Sequence, residues 1–164
     1  MIKYPCVEFN KKYYDDVANL ISLFRVTLRK FKNIESKPDI ESAKEELDEY
    51  IERKYPIYCY IKDDKAVGYI ILRIDGVIWV EQIYVLPEYR RMGIAKALYD
   101  IAEDMADSMN EDTVYNYVHP NNDAIIGFLK ANDYTVLNLI EVRKKYKGEK
   151  TAKKIKIENN EFDY

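Results

Sequence analysis

Residues 80–98 read VEQIYVLPEYRRMGIAKAL, and this stretch decides the fold. Its first half, up to Val85, is an apolar strand that Pro87 ends. Its second half opens a helix at Ile94. Ile94, Ala97, Leu98, Ile101, Ala102, Met105, Ala106 and Met109 recur at helical steps and give the cleanest amphipathic run in the chain. Between them lies the turn Arg90-Arg91-Met92-Gly93-Ile94-Ala95. The first N–H groups of a helix have no partner within it, and the helix dipole favours an anion over that end. Gly93 keeps a Cβ out of the way of a bulky phosphate, Ala95 is nearly as small, and Arg90 and Arg91 add charge. A pyrophosphate fits this description. So does a solvated basic turn that merely starts a helix. Neither the Walker lysine pattern nor G-x-G-x-x-G occurs, which argues against nucleotide triphosphates and Rossmann dinucleotides.

Working outward, the elements alternate. Cys6 to Asn10 fits a short strand. Val17, Leu20, Ile21, Phe24, Leu28 and Phe31 mark one face of a helix, capped by Asn10 or Asp15. After a linker from Asn33 to Pro38, Asp39 caps a second helix with Ile40, Ala43, Leu47, Tyr50 and Ile51 on one face, and Pro56 stops it. Ile57 to Ile61 and Ala66 to Ile74 read as strands about an Asp63-Asp64 turn. Asp75-Gly76 predicts a type I′ hairpin into a strand from Val77 to Val85, with Trp79, Glu81, Ile83 and Val85 on one face. After the Ile94 helix come a strand from Thr113 to Val118, a short helix opened by Asn121-Asn122 and running through Lys130, and a last long strand from Tyr134 to Val142. A basic tail begins near Arg143, where Ile155 and Ile157 fit a short strand. The order predicts an α/β (α+β) fold: one domain over residues 1–164, with a mixed, mostly antiparallel central sheet flanked by helices.

Composition narrows the chemistry. The 164 residues are 48% hydrophobic and 34% charged, an ordinary globular balance. Twenty-six Lys and Arg against 29 Asp and Glu give a net charge of −3, which disfavours a nucleic-acid partner. No apolar run approaches the ~20 residues that cross a bilayer, so no membrane partner is expected. The first residues lack a secretion signal, so a cytoplasmic location is expected. Cys6 and Cys59 read as reduced core thiols. His119 is the lone histidine, which removes most zinc chemistry and leaves no metal site expected.

The turn resembles the acyl-CoA signature of the GNAT N-acetyltransferase superfamily, Arg/Gln-x-x-Gly-x-Gly/Ala, as Arg90-x-x-Gly93-x-Ala95. Val85-Leu86-Pro87-Glu88-Tyr89 is similar to that family's approach to the turn. A second element, an Asn opening a helix before a turn into the last strand, corresponds to Asn122 through Tyr134. The order of elements from Cys6 to Val142 is similar too. The resemblance implies acetyl-CoA as acyl donor. Backbone groups of Ile83, Tyr84 and Val85 would meet the pantetheine arm as an added strand would. The amides of Arg90, Arg91, Met92, Gly93, Ile94 and Ala95 would hold the pyrophosphate, and Asn122 would contact the pantetheine or the region of the sulfur.

Acetyl transfer to an amine needs a base, because an alkyl ammonium has a pKa near ~10.4. Glu81 is the candidate: some GNAT enzymes acting on polyamines carry a glutamate there. The alternative is an ordinary half-exposed strand carboxylate. The family's usual acid, a tyrosine, aligns with Leu129, and its glycine with Asp133. Either another hydroxyl serves, with Tyr84, Tyr115 and Tyr117 as candidates, or the thiolate leaves unaided, its conjugate thiol having a pKa of about 8.5.

The second helix carries Glu41, Glu45, Glu46, Asp48, Glu49 and Glu52 against Lys44, Arg53 and Lys54. By the resemblance it flanks the acceptor entrance, where an acidic wall would draw a cationic amine: a polyamine, a lysine side chain or a peptide N-terminus. As a plain helix it is a solvated face. Two further readings remain: a non-catalytic acyl-CoA-binding module of the same fold, and an interaction protein using its basic tail. An exposed edge after the last strand makes a homodimer plausible.

Overall fold

A computed structural model describes residues 5–164. They form two compact units that divide at Phe128/Leu129.

The first unit carries a five-stranded sheet in the order β1-β2-β3-β4-β5. Its strands are β1 (Cys6–Glu8), β2 (Ile57–Lys62), β3 (Lys65–Asp75), β4 (Val77–Val85) and β5 (Val114–Asn116). The first four pair antiparallel and β5 joins β4 in parallel, because a helical crossover returns the chain in the same direction. That crossover is α3 (Ile94–Ser108). On the opposite face lie α1 (Tyr14–Phe31) and α2 (Ile40–Glu52). Val17, Leu20 and Ile21 of α1 and Ala43 and Leu47 of α2 pack with Cys59, Tyr69 and Ile71 of the sheet. These are the helical faces the spacing predicts, except that Ile40 and Ile51 sit at the ends of α2 and stay exposed.

Several local expectations change. Asn10 caps a single 3-10 turn, Lys11–Tyr13, that precedes α1. Asp15 lies inside the first turn of α1, where its charge suits the dipole. The two-residue turn with positive φ at both positions is Asp63-Asp64, at 49° and 64°. At Asp75-Gly76 only Gly76 has positive φ, and Asp75 already pairs with Val77. The hairpin therefore reverses about one glycine rather than through a type I′ turn. β5 is three residues long, against the six expected. Both cysteines are buried and reduced. Burial and the Asp100 charge push the Cys6 thiol up to about 11, and burial with Asp16 pushes Cys59 up to about 12.

α4 (Asp123–Lys130) straddles the division. In the second unit, β6 (Lys154–Ile157) and β7 (Asn160–Asp163) form an antiparallel hairpin of their own. Ile155 and Ile157 lie in a strand as expected. The long strand expected over 134–142 is absent: those residues form no regular element, and Val136, Leu137, Leu139 and Val142 are exposed. Strand preference is a fit to a half-buried pleated surface, and it forms no strand where no neighbouring ladder is present.

Candidate active site

β4 changes character midway. Ile71 of β3 faces Gln82, but Leu72 faces Val80, so Glu81 is the extra residue of a β-bulge. Strict alternation of Trp79, Glu81, Ile83 and Val85 therefore fails. Instead Glu81 and its neighbour Gln82 line the same cavity, because the bulge turns consecutive side chains towards one side. The adjacent polar pair within an apolar strand is the sequence signal for that bulge.

The cavity has a volume of about 460 Å3 and lies between α1, α2 and β4. Glu45, Glu46 and Glu49 of α2 line it with Glu81, against the cations Arg25 and Arg53. Gln82 is buried and fully engaged. Its Oε1 accepts from the Tyr69 hydroxyl at 2.8 Å, and its Nε2 donates to Tyr50 Oη at 3.0 Å and to Glu46 Oε1 at 2.5 Å. Glu46 also meets Arg25 Nε at 3.2 Å. Burial, followed by the Glu46 charge, raises the Tyr50 and Tyr69 hydroxyls above the usual phenol value, so both stay protonated as donors. Gln82 is marked in the sequence only as half of that polar pair, and Tyr69 and Arg73 do not stand out, since strand periodicity says nothing about who meets across the sheet.

Glu81 is half-buried, and its Oε2 accepts from Arg73 Nε at 3.2 Å. Among the described residues no donor reaches Oε1. Arg73 also holds Asp75 at 3.0 Å and lies 5.3 Å from the Trp79 ring centre.

On its β5 side, β4 is paired from Ile78 to Val80 and no further. β5 ends at Asn116, so from Glu81 to Val85 no strand pairs with β4 on that edge; the ladder register turns the backbone groups of Ile83 and Val85 towards it and those of Tyr84 towards β3. This unpaired edge leads to the turn into α3. There Arg91 and Gly93 both take positive φ, 63° and 78°, and Gly93 is the N-cap. Backbone of this kind turns successive N–H groups to one side. Among the described residues, no protein acceptor meets the amides of Arg91, Met92, Gly93, Ile94, Ala95 or Lys96. A Cβ on Gly93 would touch nothing within 4 Å, so the left-handed conformation, not crowding, calls for glycine there. Crowding acts at Gly68 instead. A Cβ there would stand 3.2 Å from Tyr84 O and 3.3 Å from Ile94 Cγ2, so its absence lets the start of α3 lie against the end of β4.

Arg90 behaves differently from its neighbours. Its Nε donates to Val85 O at 2.9 Å and its guanidinium lies over the Tyr84 ring, so it ties the turn to the strand rather than reaching outward. Arg91 and Met92 are exposed. Asn122 caps α4, its Oδ1 accepting from Ile125 N at 3.3 Å. His119 stacks on Phe31, and its Nδ1 accepts from Asn121 N at 3.2 Å. Burial and the Lys32 charge lower its pKa, which favours this neutral, accepting form. Of the hydroxyls considered as acids, Tyr84 is buried against Phe24, while Tyr117 stacks on Trp79 and Tyr115 lies tilted against it. Leu129 is buried. Among the described residues, no group of three metal-ligating side chains occurs. No helix among them is long and apolar enough to cross a membrane.

Comparison with known proteins bears on this geometry. A model of the acetyltransferase (GNAT) family matches residues 20–154. No curated protein sequence matches. Among solved structures, a GNAT-family acetyltransferase from Staphylococcus aureus Mu50 is similar at 22% identity, over 77% of this chain and 81% of its own, with a TM-score of 0.60. AAC(6')-Iy, in complex with the bisubstrate analogue CoA-S-monomethyl-acetylneamine, is 16% identical over 86% of this chain and 97% of its own, with a TM-score of 0.64. Ribosomal-protein-alanine N-acetyltransferase from Brucella melitensis biovar Abortus is 18% identical over 85% and 99%, with a TM-score of 0.62. At these identities the likeness is one of fold.

Proposed function

The chain belongs to the acetyltransferase (GNAT) family, and from that premise we propose that it transfers the acetyl group of acetyl-CoA to a primary amine by direct attack in a ternary complex. The row of unbonded amides from Arg91 to Lys96 carries this reading. A run of helix-start donors without protein acceptors, exposed at Arg91, Met92 and Gly93 and buried or half-buried from Ile94 to Lys96, fits an anion, and the stretch of β4 beyond its pairing with β5 fits an extended arm leading away from it. Acetyl-CoA, when bound, supplies a thioester whose carbonyl carbon is open to attack. The amides at the start of α3 would hold its diphosphate, with Arg91 adding charge. Of the strand-end groups expected to meet the pantetheine arm, the backbone of Ile83 and the amide of Val85 would bond it, whereas Val85 O is taken by Arg90 Nε and Tyr84 faces Tyr69 across the ladder. Asn122, held by its capping bond, would contact the arm near the sulfur.

The cavity beside Glu81 receives the acceptor. Four carboxylates against Arg25 and Arg53 in the lining and Arg73 behind Glu81 leave a net negative charge that favours a cationic amine: a polyamine, a lysine side chain or a peptide N-terminus. Glu81 acts as the base. Its Oε1 accepts the proton from the ammonium, directly or through one water, and frees the lone pair for attack. Glu46 fits this role less well, because its two oxygens are already shared among Gln82, Tyr50 and Arg25. With Leu129 in place of a hydroxyl, the thiolate departs with help from water or unaided.

The test is thiol release from acetyl-CoA across a panel of amines, comparing wild type with Glu81→Gln. We expect turnover that falls by about 10²- to 10⁴-fold in the variant, the usual worth of a general base. Undiminished turnover removes Glu81 from the mechanism. Tight CoA binding by calorimetry without turnover on any amine supports a binding module instead, the reading that Leu129 favours.

A further inference from the structure

Glu81 projects from a bulge, where ladder bonds do not fix the backbone as firmly as in regular strand. Something else must aim its carboxylate. Arg73 sits on the partner strand opposite Trp79 and reaches Glu81 Oε2 through Nε at 3.2 Å. The guanidinium is itself restrained from two further sides. Its Nη1 meets Asp75 Oδ2 at 3.0 Å, and its Cζ is 5.3 Å from the Trp79 ring centre. Trp79 in turn is stacked on Tyr117, ring centres 4.6 Å apart and 10° from parallel. A chain of contacts thus runs from the β4–β5 aromatic stack through Arg73 to one oxygen of Glu81, and it leaves the other oxygen without a donor among the described residues.

From this geometry we infer that Arg73 is a positioning residue: it clamps Glu81 by Oε2 so that Oε1 is presented to the acceptor amine in the cavity. The inference rests on the reading of Glu81 as the base. Clamping by one edge suits that task, because a bidentate pair would occupy both oxygens. A base displaced by about 1 Å loses on the order of 10²-fold in rate even when all the binding contacts remain.

Steady-state kinetics of Arg73→Met, Arg73→Lys and Glu81→Gln, with the double variant Arg73→Met/Glu81→Gln, separate the possibilities. Arg73→Met should lower kcat by about 10- to 100-fold while leaving KM for acetyl-CoA within about twofold. Arg73→Lys keeps a cation of similar reach and should recover to within about threefold of wild type, though not fully, since Lys lacks the planar fork. In the Glu81→Gln background, Arg73→Met should add no further loss. An unchanged kcat in Arg73→Met, or losses that multiply in the double variant, overturns the clamp. If Glu81→Gln itself keeps full activity, the base reading falls, and the clamp with it. If only Arg73→Met is silent, the clamp alone falls. Crystal structures of wild type and Arg73→Met give a readout independent of turnover: the Glu81 carboxylate should leave its wild-type position, and an unmoved rotamer overturns the inference.

Discussion

The starts of α2 and α3 solve the same problem in opposite ways. At α2, Asp39 takes an extended conformation and its Oδ1 accepts from Ser42 N at 3.0 Å, the ordinary side-chain cap. At α3, the N-cap is Gly93 in the left-handed region, with no side chain to offer and no protein acceptor nearby. α2 gains more from its cap, because it buries only Ala43 and Leu47 fully. α3 can do without one, because it buries Ile94, Ala97, Leu98, Tyr99, Ala102 and Ala106, and packing replaces the missing bonds. A helix held by its core face can leave its amides open for an anion. The open end of α3 is a binding feature that its buried side supports.

The comparison can be broken most severely at Gly93. Gly93→Asp puts a carboxylate among the open amides, and Asp tolerates positive φ better than most residues. We expect CoA affinity to fall by about 100-fold or more by calorimetry, since the added charge both occupies the amides and repels a diphosphate. Affinity within a few-fold of wild type would mean the diphosphate lies elsewhere. Asp39→Ala is the reciprocal test. It should cost about 1 kcal/mol in chemical denaturation and leave CoA affinity unchanged, because that cap serves folding alone. The smallest effect belongs to Arg91→Ala. An exposed charge should be worth about 0.2–1 kcal/mol, a few-fold in CoA affinity that disappears at high salt. A loss that persists in high salt would show that Arg91 shapes the turn rather than attracting the ligand.

Much of this site is legible in the chain order. Arg90 to Ala95 lie together because they are one turn, and the amphipathic run after Ile94 announces the helix that carries them. Glu81 is legible as a polar residue in an apolar strand. Its partner is not. Arg73 lies eight residues away across a hairpin, and its pairing with Glu81 depends on a register that the bulge shifts by one. The same shift brings Gln82 into the cavity. Arg90 shows the opposite case: as a charged residue in a basic turn it reads as a ligand contact, yet it bonds Val85 O. A sequence names a donor but not the nearest acceptor.

The stretch from Tyr134 to Val142 marks the outer limit of periodicity. Its apolar residues suit a strand, but a strand is half of a pair, and no ladder forms on it among the described residues. Sequence alone determined what is local: the helix faces and the basic turn that opens α3, since each depends on neighbours in the chain, whereas the glycine expected there to spare a Cβ clash is needed instead for its left-handed φ. Tertiary structure decided what is mutual. The bulge at Glu81, the end of β4–β5 pairing at Val80 and the arginine behind the carboxylate all depend on how strands meet across space, and backbone register is a property of pairs.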